Sequence, residues 1–372
     1  MVISVLTTNL FLSSCEDKNS PNTETNSDWA EVGSLNANNT ISCLCSDGTN
    51  IYAAGKFTNA DGKHYVAKWN GSNWSTLGDF TSNEEIDALW ADSKGNVYAD
   101  AFFQEGTNWY RYVAMWNGTQ WTNLGNLNVN SAIYSIFADS NGNVYAAGKF
   151  TNNEGKYYVA KWDGTKWQEV GKLNANGNIN VVRATDDGKI FAAGAFTNDS
   201  GKCYVALWNG TTWVNSGMLT QQSEGGEVNA LCRDNNGNFY AAGSFSNPGS
   251  NGKCFLARWN NGEQKAVPGS EVNGPIAVLT TDGNNIFVGG DFTNNSFYHY
   301  VAKWDGTSFS ELGNLKANAR IIALCTDAAG NVYAAGDFTN SSEGTYISEN
   351  PFPGGVFNNN TGYKFVAMYK VK

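Results

Sequence analysis

An all-β fold built from repeated four-stranded sheets is what this sequence predicts, and three observations predict it. The phrase "VYAAGKFTNNEGKYYVAKWDGTKW" (Val144 to Trp167) recurs along the chain. Aligning the copies on VAxW gives Trp69, Trp116, Trp162, Trp208, Trp259, Trp304 and a degenerate Tyr369, mostly 45 to 51 residues apart. A period of that length marks sheets that cannot bury their own faces and stack around a ring. The composition agrees, with 41 Gly, 13% aromatic and 16% charged residues in 372, too apolar for disorder and rich in turn formers.

Each copy carries four strand signals, short, β-branched or aromatic, and bounded by Gly, Asn or Asp. In the third copy they are "IYSIFAD" from Ile133, "NVYAAGKF" from Asn143, "YYVAKW" from Tyr157 and "WQEVG" from Trp167. Between the first two lies DxxGN, present as Asp92 to Asn96, Asp139 to Asn143, Asp234 to Asn238 and Asp327 to Asn331; between the last two lies W(N/D)G(T/S). Both are tight hairpins whose Gly or Asn supplies positive φ. A calcium-loop reading of DxxGN fails on spacing, since the alternating oxygen ligands and distal bidentate Glu are missing and Thr185 replaces the Asp in one copy. The recurring tryptophans are read as packing between sheets rather than as sugar platforms, because a residue present in every copy serves the frame.

The two chain ends complement each other. "WAEVG" (Trp29 to Gly33) is a fourth strand with no first three before it, and the segment from Arg320 to Lys370 supplies three strands with no fourth. Joining them completes a seventh sheet and removes a free edge. Residues 29–372 therefore form one seven-bladed β-propeller whose N-terminal strand closes the last blade.

Before it, the apolar run ending in Leu12, Ser13, Ser14 and Cys15 resembles the lipobox of bacterial lipoproteins. That resemblance implies a signal peptide over residues 1–14 and lipidation of Cys15. The departure is that no Lys or Arg precedes Lys18, where a signal peptide carries a basic segment. Residues 15–28 are polar and suit a tether, and Glu16 and Asp17 resemble the export signal of Bacteroidetes-type surface lipoproteins. An outer-membrane, cell-surface location is the expectation, with the membrane touched through the lipid alone. The pattern GxFT…VAxWnG…W…LG resembles a family of bacterial secreted propeller repeats, is more distantly similar to the propeller of fungal cortical bud-site marker proteins, and in its DxxGNVYAAG half looks like kelch and NHL blades.

The net charge of −10, with no basic cluster, excludes a nucleic-acid partner. Six cysteines beyond Cys15 read as buried free thiols. Cys203 and Cys254 occupy equivalent strands of neighbouring sheets about 10 Å apart, too far for a disulfide. Cys45, Cys232 and Cys325 share one repeat position that elsewhere holds Trp90 or Phe137.

Function is expected where the copies diverge. DxxGN and WNGT turns share one uniform face; the opposite face holds the FTNxxGK loops and blade links, with inserts at 220–227, 246–253 and 339–364. Loops free of framework duty carry binding residues. The candidates there are the aromatics Trp109, Tyr110, Phe297, Tyr298, Tyr346, Phe352 and Phe357, together with Lys56, Lys149, Asp291 and Asp337 at the variable position before the FT phenylalanine. No metal or cofactor motif appears, and no GxSxG or HExxH. A glycosidase needs two carboxylates about 5 to 10 Å apart, for which Asp291 and Asp337 are the pair to nominate. The expected function is non-enzymatic recognition of a glycan or an envelope protein, by a monomer or a subunit of a larger envelope complex. A polysaccharide-acting hydrolase or lyase and a purely structural envelope subunit are the alternatives.

Overall fold

The computed structural model describes residues 28–105, 107–127, 129–218, 226–246, 251–260, 263–340 and 362–371. They form seven four-stranded antiparallel sheets. Blade three is representative, with strands Ile133–Ala138, Val144–Gly148, Ala160–Trp162 and Trp167–Glu169 paired in that order from the channel outward. The third strand is shorter than its sequence signal, because Tyr157 joins only through isolated bridges to Thr151 and Ala175.

Blade seven joins Ile321–Thr326, Val332–Gly336 and Ala367–Tyr369 to the N-terminal Trp29–Glu31, which pairs Trp29 with Tyr369 and Glu31 with Ala367. The ring closes as the two chain ends require.

The core lies between neighbouring sheets. One cluster packs Tyr98 and Val113 of blade two against Ile133, Ala146 and Phe150 of blade three. The Ala-Ala-Gly that closes the second strand in five blades lets sheets approach: Ala146 and Ala147 are fully buried, and a Cβ on Gly148 would lie 2.2 Å from the Ala132 carbonyl oxygen. Hydrogen bonds from the outer-strand indoles fasten the rim. Trp74, Trp121, Trp167, Trp213 and Trp29 each donate Nε1–H to a carbonyl of the preceding blade, Val32, Leu77, Leu124, Val170 and Leu312 respectively, at 2.6 to 2.8 Å. In blades one to four the tryptophan of the third strand packs on the glycine that ends the preceding blade, where a Cβ on Gly171 would fall 2.3 Å from Trp208. The repeated tryptophans therefore serve the frame.

The DxxGN turns are self-contained. Asp139 Oδ1 accepts from the Asn141 and Asn143 amides at 3.0 and 2.9 Å, and Oδ2 accepts from Asn143 Nδ2 at 2.7 Å and Tyr145 Oη at 3.2 Å. All six cysteines in the described residues are free, and five of them are buried.

Candidate functional site

The position before the FT phenylalanine holds its backbone constant while its side chain changes. In six blades its amide donates to the link before the first strand, as Lys56 to Thr40, Lys149 to Ala132, Asp291 to Pro275 and Asp337 to Arg320, at 2.8 to 3.1 Å. Blade two is the exception. There Asp100 and Ala101 stand where the other copies have Ala-Gly, or Gly-Gly in blade six, and at the equivalent Gly148 a Cβ would fall on the backbone that enters the first strand. That strand shortens to Leu89–Ala91, while the second and third lengthen into a nine-residue hairpin, Val97–Glu105 with Asn108–Trp116. The carboxylate of Asp100 takes over the freed backbone, accepting from the Asp87 and Ala88 amides at 2.9 Å each.

The hairpin builds a platform. Phe102 pairs with Arg111 and Phe103 with Tyr110, so successive residues fall on opposite faces. On one face Trp109 stacks on Phe102 (centroids 5.0 Å, planes 13° apart) and the Arg111 guanidinium lies 4.9 Å from the Phe102 centroid. Arg111 also pairs with Glu84 at 2.7 Å and Asp100 at 3.1 Å. The other face presents Phe103 and Tyr110, each 40% exposed. The equivalent phenylalanines of the other blades, Phe150 for example, are fully buried against an aromatic of the third strand. Trp109 is 55% exposed, so the indole is held by its stack and open to solvent.

A recess of about 550 Å³ lies beside this platform, lined by Phe102, Trp109, Arg111, Glu84, Asp87, Tyr134 and Lys149. Lys56 reaches it indirectly through Glu85 at 3.0 Å. Burial and the neighbouring Glu85 push Asp87 up to about 6. Burial, reinforced by Asp87, pushes Asp100 up to about 8 against the pull of its two amides and Arg111. The expected residues Trp109, Lys56 and Lys149 thus converge here. Asp87, Asp100, Arg111 and Tyr134 belong with them and were not read from the sequence; the break of VYAAG into VYADA was the available signal.

Blades six and seven hold a second group. Asp291 lies 3.3 Å from His299 Nε2, and Asp337 accepts from Arg320 Nε at 2.6 Å and from the Thr40 hydroxyl. Arg320 feels both carboxylates, and its hydrogen bonding with that of Thr40 outweighs burial to hold Asp337 below the usual carboxylate range. The Arg320 cation on Asp337 suits a fixed ion pair and not an acid that must carry a proton. Phe297 occupies the loop position that is Gly62, Gly155, Gly201 and Gly252 elsewhere, keeps the left-handed backbone (φ 64°) and is 66% exposed. Tyr298 corrects the expectation: it is 7% exposed, drawn inward at the start of the third-strand segment while its neighbour is turned out. Tyr346, Phe352 and Phe357, like Cys15, lie outside the described residues.

The class of protein is defined by this geometry as a seven-bladed β-propeller, and solved structures agree. The chain superposes on the WD40 propeller domain of Doa1 (TM-score 0.57, 13% identity, 90% of this chain and 94% of that one). It superposes on a streptogramin B lyase (TM-score 0.59, 12% identity, 91% and 96%) and on selenomethionine-substituted virginiamycin B lyase from Staphylococcus aureus (TM-score 0.59, 12% identity, 92% and 99%). Identity at that level carries the fold alone. No protein-family model matches the chain, and no curated relative matches it at the sequence level.

Proposed function

We propose that this propeller is a lipid-anchored, cell-surface binding protein that recognises a glycan, or a protein partner, through its loop face. The observation that carries the reading is the blade-two hairpin, which abandons the repeat to hold an exposed indole on a stacked Phe102 and Arg111 base. Such an indole, beside carboxylates, a lysine and a tyrosine, is the chemistry that stacks on a sugar ring and hydrogen-bonds its hydroxyls. Phe297 supports the same face, since a bulky residue kept in a left-handed slot marks a site where function outweighs local strain. The anchor rests on the lipobox resemblance at Cys15.

The test is a glycan array and an envelope-extract capture with the full chain, repeated with Trp109→Ala. A specific ligand whose affinity falls at least about tenfold in the variant supports the reading; stacked aromatic anchors carry energies of that order, about 2 kcal/mol. A ligand bound equally by both proteins removes the platform from the site. Cys15→Ser releases the protein to the soluble fraction of its host if the anchor is real.

A second reading, polysaccharide cleavage, is favoured by one observation. Asp87 is a carboxyl with a raised pKa in a solvent-open recess, a pattern that marks general acids. It replaces Asp291 and Asp337 as the acid to test. Release of product from an envelope polysaccharide, lost in Asp87→Asn with binding retained, distinguishes it from pure recognition.

A further inference from the structure

The seven first strands surround a central channel, and their penultimate residues form one ring of Cys45, Trp90, Phe137, Arg183, Cys232, Thr280 and Cys325. The half of the channel that opens on the turn face is a recess of about 440 Å³, within the range of small-molecule sites. It meets a smaller loop-face half of about 160 Å³ at Leu44, Leu89, Leu279 and Leu324 together with Trp90 and Arg183, which line both.

Charge in the turn-face half is one-sided. Two arginines, Arg183 and Arg233, line it together with hydroxyls such as Thr280 and Thr281, and no described residue lining it is Asp or Glu. In a chain of net charge −10 that is a strong local reversal. The nearest turn aspartates already have partners: Asp187 pairs with Lys189 at 2.6 Å, Asp186 accepts from the Ser140 hydroxyl at 2.5 Å, and Asp234 accepts from the Asn238 amide at 2.8 Å and Asn238 Nδ2 at 2.6 Å.

Arg183 is the centre of this half. Its guanidinium lies 5.2 Å from the Trp90 ring and 5.8 Å from the Phe137 ring, and Nη1 donates to the Val182 carbonyl at 2.8 Å. Among the described residues it has no carboxylate partner and no other hydrogen bond. Burial alone pushes it down, to about 10, leaving it a cation at neutral pH. The Trp90 indole N–H, buried without a partner, adds a second unused donor. Removing a guanidinium from bulk water without a counter-charge is unfavourable, and two aromatic faces offset only part of that cost. An arginine retained under those terms, with most of its planar fork of donors unused, is a receptor for an anion.

We propose that the turn-face half of the channel binds a small oxyanion, a carboxylate or phosphate group, through Arg183. The proposal does not rest on the loop-face reading: the turn-face lining shares no residue with the blade-two recess, while Arg183 also borders the smaller half of the channel, which Asp87 and Tyr134 line.

The experiment is isothermal titration of the full chain with inorganic phosphate and, separately, with citrate, in buffer free of both. Saturable binding of either probe that weakens at least tenfold in Arg183→Gln, is intermediate in Arg183→Lys, and is unchanged in the loop-face control Arg320→Gln supports the site. Phosphate alone binding identifies a phosphate ligand; citrate alone identifies a carboxylate. Absence of saturable binding by both probes overturns the proposal, as does equal affinity in Arg183→Gln. Arg183→Gln is expected to keep the melting temperature of the unmodified chain, and thermal unfolding of the variant separates loss of binding from loss of fold. Should Arg183→Gln fail to fold, the Arg183→Lys chain decides: it keeps the charge and loses the fork, and affinity equal to the unmodified chain overturns the role of Arg183.

Discussion

The indole N–H of Trp29 donates to the carbonyl oxygen of Leu312 at 2.8 Å, joining residues 283 apart in sequence. One hydrogen bond and one three-stranded edge thus depend on the strand Trp29–Glu31. Deleting residues 1–34 is expected to lower the melting temperature sharply, and deleting 1–27 to leave it unchanged. Trp29→Ala costs about 3 to 5 kcal/mol, as buried aromatic truncations do. Thermal unfolding followed by circular dichroism of the three chains checks this; equal stability of both truncations contradicts closure through blade seven.

Asp139 spends both carboxylate oxygens within its own turn. Asp139→Ala leaves two amides and the Tyr145 hydroxyl without that acceptor and should cost about 2 to 3 kcal/mol. Because the turn closes on itself, neither calcium nor a chelator should move the melting temperature. A calcium-dependent increase of several degrees would return these turns to the list of metal sites.

Asp100 titrates in a direction that opposes the usual behaviour of a paired carboxylate. Its folded-state pKa, raised to about 8 by burial and Asp87, lies above the unfolded value, so between about pH 4 and 8 the folded state binds the extra proton. Stability therefore falls as pH rises through that window. Asp100→Asn removes the titration and should flatten the decline of melting temperature between pH 5 and 8, which differential scanning calorimetry across that range would reveal. An unchanged slope would mean that Asp100 is ionised throughout and that another group governs the profile.

Phe297 pays for its backbone geometry. Left-handed φ is unfavourable by about 1 to 2 kcal/mol for a residue with a side chain, offset in part by the larger unfolded-state entropy of glycine. Phe297→Gly should thus be stabilising by up to about 1 kcal/mol while weakening any loop-face ligand. Paired denaturant unfolding and binding measurements test both halves. A variant that binds as before would leave Phe297 a tolerated irregularity.

Exchanging the residues between Thr339 and Lys364 for the short Asn152–Lys156 loop of blade three keeps the Thr339–Lys364 bridge that precedes the third strand, and long surface loops contribute little net stability. The fold should persist. Affinity for a loop-face ligand falls if the insert contributes, and full retention confines recognition to blade two and its neighbours.

The frame was legible because it is written seven times: period, turn residues and the split blade all follow from comparing copies. The site was legible only in part. Trp109, Lys56 and Lys149 stood out as loop-face departures, yet their partners Asp100 and Arg111 sit within strands, where departures look like ordinary core variation. Tyr298 misled because an aromatic next to an exposed one need not share its exposure; one residue along an extended segment reverses the direction of a side chain. Arg183 escaped for a related reason. Its ring-mates are Cys, Trp and Phe, which read as packing, and only the closed channel shows that a lone cation stands among them without a counter-charge.

The rim indoles have one more consequence. Five blades reach back to the blade before them, but Phe309 stands in blade six where the others have a donor, and blade five pairs Trp259 with Gln264 instead of a tryptophan. The fastening is therefore a series with two loose ends, although the sheets form a circle. Under heat or mechanical load a hoop of this kind fails first where a rivet is missing. The place where the polypeptide itself begins and ends, guarded by Trp29, is among the riveted joints, so this ring should tear between blades four and six, far along the chain from its own termini.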